Sequence, residues 1–380
     1  MSLRVLYVSA EAVPGTDGGS VHTLEVARGL VRRGNSVTLV ARREPGQGAE
    51  ETLDGILIVR ARMRLAGKTV PALALGWLLK LRPSDFDVVM ARFAALGGAE
   101  GIFAGWGHLP LVLEVNSPQV SEILWRYNLQ GGLLSSALEG WGERQFSKAA
   151  AVITPSARIV PAAARPRCRL VDWGCDTEAF HPAGAKGSRP TVVFSGTFRT
   201  WHGVDLLPAI ARALLAQRPD VTFLCLGDGP GRAAVEAEAA RLGVSGAFRF
   251  TGAVPFAEVP KHLAAAHVGI APFHIRDYPP FAKFGFFYSP LKIFEYLACG
   301  LPVATTLCPE LSKIVEEGKT GRLVEDGKAE AFAGALDDLL GRAEGMRGDC
   351  REAAVARFSW QAHAATVERI LEETVGARRV

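Results

Sequence analysis

One pattern constrains this chain more than any other. Short, almost unbroken apolar runs rich in β-branched residues alternate with longer stretches of helical spacing, from one end to the other. The strand candidates are 3–9, 36–40, 55–59, 86–91, 110–115 and 150–154; the series then restarts at 191–195, 221–226, 248–251, 268–272, 302–305 and 321–324. Helical periodicity fills 21–33, 206–217, 231–242 and 256–266. Strands apolar along their whole length are covered on both faces, and strand–helix alternation makes them parallel. Two such series in 380 residues predict two doubly wound α/β domains, because one core seldom grows past about 250–300 residues. Between them, VDWGCDTEAFHPAGAKGS (171–188) gathers Gly, Pro and polar residues where the apolar period lapses, as a hinge does. The expected division is 1–170, a hinge at 171–188, and 189–358. A C-terminal helix at 359–380 is expected to complete the first domain, although nothing in its own pattern assigns it.

Composition removes several classes of function. Lys and Arg number 43 against 39 Asp and Glu, too even a balance for a dedicated nucleic-acid binder. Six cysteines, at 168, 175, 225, 299, 308 and 350, include no C-x-x-C pair and read as thiols in a reducing compartment. No apolar run reaches the ~18–20 residues of a membrane span. MSLRVLYVSAEAVPG reads as a strand and not as a signal peptide, so a cytoplasmic protein is expected.

Polar chemistry collects at a few strand ends. EAVPGTDGGS follows the first strand, and Gly15, Gly18 and Gly19 let backbone approach a ligand where a helix N-terminus favours an anion. The spacing is not G-x-G-x-x-G, so the dinucleotide fingerprint is absent. SGTFRTWHG (195–203) repeats the arrangement in the second half: Gly196 at a strand end, then Arg199 and His202, which suits a diphosphate. GDGPG (227–231) reads as structural punctuation. In FYSPLKIFEYLACGLPVATT (287–306), Ser289 is placed to cap a helix beginning at Pro290, and Lys292 falls in its first turn. A lysine at that positive dipole end calls for a bound anion. Glu295 shares its face and can accept from a ribose diol. The competing reading is an i,i+3 ion pair on a solvated face.

In order and spacing, these pieces resemble glycosyltransferase family 4, the retaining nucleotide-sugar transferases of the GT-B fold. The resemblance runs through the N-terminal GG and RGNSVTLV, ITPS (153–156), WGCDTEAFHP (173–182), FSGTFRTWHGVDLL, GDGPG, SPLKIFEYLACGLPVATT and TGRLV. It implies two Rossmann-like parallel-sheet domains facing a central cleft. Gly18 and Gly19 match the glycine pair facing the donor, and Gly196, Arg199, His202, Ser289 and Leu291 fall among its donor contacts. Glu295 matches the ribose-binding second Glu of an E-x7-E motif. Two positions depart from the family. His202 stands where a Lys usually precedes the Gly, with Lys292 placed to take over part of its charge, and Phe287 stands at the first Glu, which usually contacts the transferred sugar. Branches with an SPLK-x-x-EY version lack that Glu too.

The resemblance further implies transfer with retention from a UDP- or GDP-linked sugar, without a metal, Arg199 and Lys292 taking the cation's place. On the acceptor side, LVLEVNSPQVSE (111–122) offers Glu114 and Asn116 as catalytic candidates and Glu122 as an acceptor contact, with His22 a further one. The expected acceptor is a sugar or a lipid-linked sugar. Arg60, Arg62, Arg64, Lys68, Lys80 and Arg82 bracket VPALALGWLL (70–79), so 60–82 is a candidate contact with the inner face of a membrane; a buried core helix is the other reading. A nucleotide-sugar 2-epimerase and a non-catalytic nucleotide-sugar-binding subunit of the same fold are the alternatives.

Overall fold

A computed structural model of the chain describes residues 2–15, 17–65, 68–69, 71–184, 186–276 and 278–379. It divides into two compact units. Unit 1 comprises Met1–Trp173, Phe287–Ser289 and Trp360–Val380; unit 2 comprises Gly174–Phe286 and Pro290–Ser359.

Unit 1 is built on eight strands: β1 (Arg4–Ala12), β2 (Ser36–Arg42), β3 (Glu50–Leu53), β4 (Ile56–Ala61), β7 (Val88–Arg92), β8 (Leu111–Glu114), β9 (Ala151–Thr154) and β10 (Cys168–Leu170). A separate two-stranded ribbon, β5 (Arg64–Leu65) with β6 (Lys68–Thr69), lies between β4 and β7 in sequence. The sheet order is β10-β9-β8-β7-β1-β2-β4-β3, parallel except for the β3–β4 edge pair. β7 and β8, apolar almost throughout, are buried along nearly their whole length, which is why no alternation shows in their sequence. Helix α1 (Gly18–Arg32) follows β1, and α2 (Leu75–Leu78), α3 (Ala99–Trp106), α4 (Gln119–Arg126) and α5 (Leu133–Lys148) precede or follow β7 and β8. Right-handed crossovers place α1 on one face of the sheet and α3 and α5 on the other.

The C-terminal helix (Trp360–Arg379) packs on α1, where Gly29 leaves room for Ala364. Its Trp360, Val367, Ile370 and Leu371 share a buried cluster with Leu24, Ala27 and Leu30. At the polar end of this contact, Glu368 accepts from Arg33 Nε at 2.5 Å and Asn35 Nδ2 at 2.6 Å.

Unit 2 holds β11 (Thr191–Ser195), β12 (Thr222–Leu226), β13 (Phe248–Gly252), β14 (Val268–Ala271), β15 (Val303–Thr306) and β16 (Gly321–Val324), all parallel, in the order β13-β12-β11-β14-β15-β16. Its helices are α6 (Leu207–Leu215), α7 (Arg232–Arg241), α8 (Val259–Ala265), α9 (Pro279–Phe284), α10 (Leu291–Ala298) and α11 (Ala329–Arg357). Numbered from its own first strand, this sheet runs 3-2-1-4-5-6, the Rossmann order; the central strands of unit 1 repeat it. In such sheets ligands bind beyond the strand C-termini where the order reverses, here at β1/β7 and at β11/β14.

Local details depart from the sequence reading. Helix α1 begins at Gly18 and not near Val21, because Asp17 caps it by accepting from Ser20 N at 3.0 Å. Ser289 does not cap α10. Pro290 occupies the cap position, and the Ser289 hydroxyl instead accepts from Trp173 N at 3.0 Å. The 60–82 segment forms no single helix: a 3-10 turn (Pro71–Ala74) leads into the one-turn α2, with Ala66, Gly67 and Val70 outside the described residues. Arg60 is a buried brace that donates to Val13 O and pairs with Glu51, so it is not a surface cation. No helix among the described residues is long and apolar enough to cross a membrane.

Candidate active site

In unit 2 the polar residues converge beyond β11. Gly196 has φ 137°, which only glycine adopts without strain, and a side chain there would meet Lys292 Nζ. Lys292, second residue of α10, sends its ammonium under this turn and against the Phe194 ring, 4.4 Å from its centroid. That Nζ is sealed from solvent and has no hydrogen-bond partner among the described residues. Burial lowers its pKa to about 7, with Glu295 opposing the shift; burial likewise raises Glu295 to about 8. No ion pair joins the two, so the solvated i,i+3 pair considered above is not what this helix forms. Arg199 stands exposed at the start of a 3-10 turn (Thr200–His202).

His202, read with Arg199 as suited to a diphosphate, carries no charge here. It is buried against Trp201, donates Nδ1–H to Thr197 O, and has its pKa lowered to about 3 by burial, with Lys292 repelling a proton. The ring is neutral and leaves the charge to Arg199 and Lys292. Gly203 follows at φ 67°, its α-carbon against Pro272 O.

In unit 1, Glu114 ends β8 and is 2% exposed. Its carboxylate accepts from His22 Nε2, from Tyr7 OH at 2.7 Å and from Asn116 Nδ2 at 2.6 Å. Arg92, at the end of β7, lies 3.9 Å from Glu114 and 3.7 Å from Glu11. Burial opposes the Glu114 charge. His22 and Arg92 beside it, with hydrogen bonds from His22 and Asn116, outweigh that and hold the carboxyl well below the usual carboxylate range. Glu114, expected as a catalytic group, is buried as an anion whose carboxylate is occupied by these partners. Asn116 is half-buried and bridges it to the indole Nε1 of Trp173 at 2.7 Å.

His22, expected on the acceptor side, faces inward and is wholly buried. Its ring stacks on Trp173 at 4.1 Å and meets His363 edge-on at 5.3 Å. Because Nε2 donates to Glu114, Nδ1 is an acceptor, and it has no partner among the described residues. His363 donates Nδ1 to Asp172 O at 2.7 Å, which leaves its Nε2 likewise alone. Burial lowers both imidazoles, His363 to about 4 with His22 adding to the effect.

Gly18 and Gly19 are the first two residues of α1, and the Gly19 α-carbon abuts the Glu11 carboxylate. Glu122 accepts from Ser117 Oγ at 3.0 Å and Tyr288 OH at 3.2 Å. Phe287 is buried and belongs with unit 1, and Leu291 opens α10. Sequence reasoning missed Arg92, Trp173 and His363. A charge closing the apolar run VVMAR was the available signal for Arg92; for His363 there was none, since its helix had no assigned neighbour. Among the described residues, no group of three His, Cys, Asp or Glu could share a metal ion.

Two family profiles match this chain: "Glycosyltransferase Family 4" over residues 16–178 and "Glycosyl transferases group 1" over residues 189–342, one for each unit. The chain belongs to glycosyltransferase family 4. A GDP-mannose-dependent alpha-(1-6)-phosphatidylinositol monomannoside mannosyltransferase of Mycolicibacterium smegmatis is 30% identical over 54% of this chain and 56% of its own length. A D-inositol 3-phosphate glycosyltransferase of Acidothermus cellulolyticus is 31% identical over 54% of this chain and 47% of its own. The matched region thus spans about half the length of these two relatives. The D-inositol 3-phosphate glycosyltransferase of Jonesia denitrificans aligns over 98% of this chain and 96% of its own length, at 24% identity. Among solved structures, sucrose-phosphate synthase from Thermosynechococcus elongatus superposes with a TM-score of 0.70 over 98% of this chain and 100% of that one, at 18% identity. A UDP complex of Anabaena HepE gives 0.68 over 98% and 100%, at 15%. These likenesses establish the GT-B fold for this family 4 chain.

Proposed function

We propose that this chain transfers a glycosyl unit from a UDP- or GDP-linked sugar to a hydroxyl of a sugar or lipid-linked acceptor, with retention and without a metal. One observation carries the reading: the buried, unpartnered ammonium of Lys292, set under the Gly196 turn at the strand-end switch point of unit 2. An amine kept from water with no partner is costly, and a diphosphate is the group that would repay it. Arg199 offers a second, exposed donor fork, and Glu295 one turn on is suited to the ribose diol. The leaving phosphate itself assists the incoming hydroxyl, so no carboxylate nucleophile is called for.

Lys292→Ala and Arg199→Ala are expected to abolish donor turnover while the melting temperature holds; transfer at the wild-type rate in both would overturn the reading. A thermal-shift screen of UDP-, GDP- and ADP-sugars identifies the base. Nucleotide-sugar binding without transfer is the second reading, favoured by buried Phe287 where a sugar-contacting Glu would stand; it predicts donor binding without turnover on any acceptor.

For the acceptor, unit 1 offers Glu122. A lipid-linked acceptor would bring the protein to the cytoplasmic face of a membrane through 60–82. There Arg62 is exposed, Lys80 Nζ sits 4.1 Å over Trp77, and Leu79 is 54% exposed. Flotation with anionic vesicles at low salt tests this; a protein that stays at the bottom removes the membrane from the reading.

A further inference from the structure

A groove of about 320 Å³ runs between α3 and α5, on the sheet face opposite α1. It exists because Gly98 and Gly101 leave the α3 side open. Gly98, at φ 104°, is the residue from which α3 starts, and Glu100 folds back to accept from its backbone N–H at 3.1 Å. From α5, Trp141, Arg144, Gln145 and Lys148 face the groove. Their spacing of three, four and seven places them on one helix face. A packed helix interface would carry apolar residues on that stripe.

The floor and the rim differ in chemistry. On the floor, Gln145 is 5% exposed; its amide donates to Ala94 O at 3.3 Å, and its Oε1 is buried with no partner among the described residues. Glu100, equally buried, is the second acceptor. On the rim, Arg144 and Lys148 supply donors, and Trp141 exposes 40% of its surface while its indole N–H is held by Gly97 O at 3.2 Å. A fitting ligand must donate to buried acceptors, accept from cations and lay an apolar face on an indole. Phosphate donates too little, and a purely apolar ligand would leave Gln145 unpaired.

We propose that the α3–α5 groove is a binding site for a neutral saccharide or cyclic polyol, separate from the strand-end site. Its ring lies against Trp141, and its hydroxyls donate to Gln145 Oε1 and Glu100. The pocket is of a size for one such ring. The inference does not rest on transfer activity and survives if that reading fails.

The test is saturation-transfer NMR and calorimetry on the full chain with methyl α-mannoside, methyl α-glucoside and myo-inositol as probes, and inorganic phosphate as counter-probe. At least one probe is expected to saturate with a millimolar Kd, and Gln145→Leu to weaken it by about tenfold. Gly101→Ser fills the groove without touching Trp141 or Gln145 and should abolish binding, while Arg199→Ala, at the strand-end site of unit 2, should leave it unchanged. Melting curves establish that each variant is folded. No saturation by any probe up to about 50 mM, binding indifferent to both groove variants, or phosphate binding in place of the sugars overturns the proposal.

Discussion

Replacing Glu114 tests the arrangement on which unit 1's polar residues depend. Three donors, from His22, Tyr7 and Asn116, end on this one buried carboxylate. In Glu114→Ala all three lose their acceptor, and Arg92 loses one of its two neighbouring charges. A hydrogen bond to a charged group is worth about 1.5–3 kcal/mol, but the donors share one network, so the values do not add. Removing one side of a buried ionic cluster costs about 3–5 kcal/mol, and that is the expected loss. Glu114→Gln keeps the shape. Its single oxygen can still accept from His22 and Asn116, while its amide donates to the Tyr7 oxygen, and the cost falls to about 1–2 kcal/mol.

The pH dependence has a definite sign. The folded carboxyl lies below the ordinary value of 4.5, so its contribution is present above that value and disappears as acid carries pH down toward the lower folded pKa. Urea unfolding, followed by tryptophan fluorescence because Trp173 and Trp360 pack on His22, should show wild type and Glu114→Gln furthest apart near pH 7. The gap should narrow below pH ~4.5. Alanine and glutamine variants of equal stability, or a gap that widens in acid, would refute the reasoning.

Lys292, at about 7 in the free protein, must be protonated to meet a diphosphate. Titration with UDP or GDP should weaken by up to about tenfold per pH unit above 7, and Lys292→Met should bind weakly at every pH. His274, hydrogen-bonded to Asp205 and Asp326, is raised to about 9; its contribution to stability is complete below its ordinary 6.5 and lost as pH rises through 9. Melting temperatures between pH 6 and 10 should therefore fall in wild type and run flatter in His274→Gln. Gly203→Ala puts a methyl group onto Pro272 O at a left-handed backbone position, and should cost at least 1–3 kcal/mol by chemical denaturation.

The fold was legible because its signal is repetitive. Each of the twelve apolar runs is a strand, since burial on both faces leaves runs such as VVMA and VGIA with no polar position to blur. The antiparallel edge strand β3 (EETL) escaped because its residues are mostly exposed and charged. At the site, the order of glycines and cations along the chain marked Gly196, Arg199 and Lys292. Protonation and orientation were not legible. His202 loses its charge to burial between Trp201 and Phe194, and Glu114 turns inward because Tyr7, 107 residues away, meets it there. Ser289 had the composition of a cap, but the φ-locked proline after it took that place.

The C-terminal helix gives unit 1 a peculiar order of assembly. Its last layer, Trp360 to Val375, is synthesised after the whole of unit 2, so Leu24, Ala27 and Leu30 have no cover until the chain is finished. Unit 2 can close first, reversing the N-terminal-first sequence usual in multidomain chains. A chain stopped at residue 359 would carry a complete second unit and an open first one. A late frameshift would therefore disable the first unit before the second, and the greasy flank it leaves bare would mark such truncated chains for quality control.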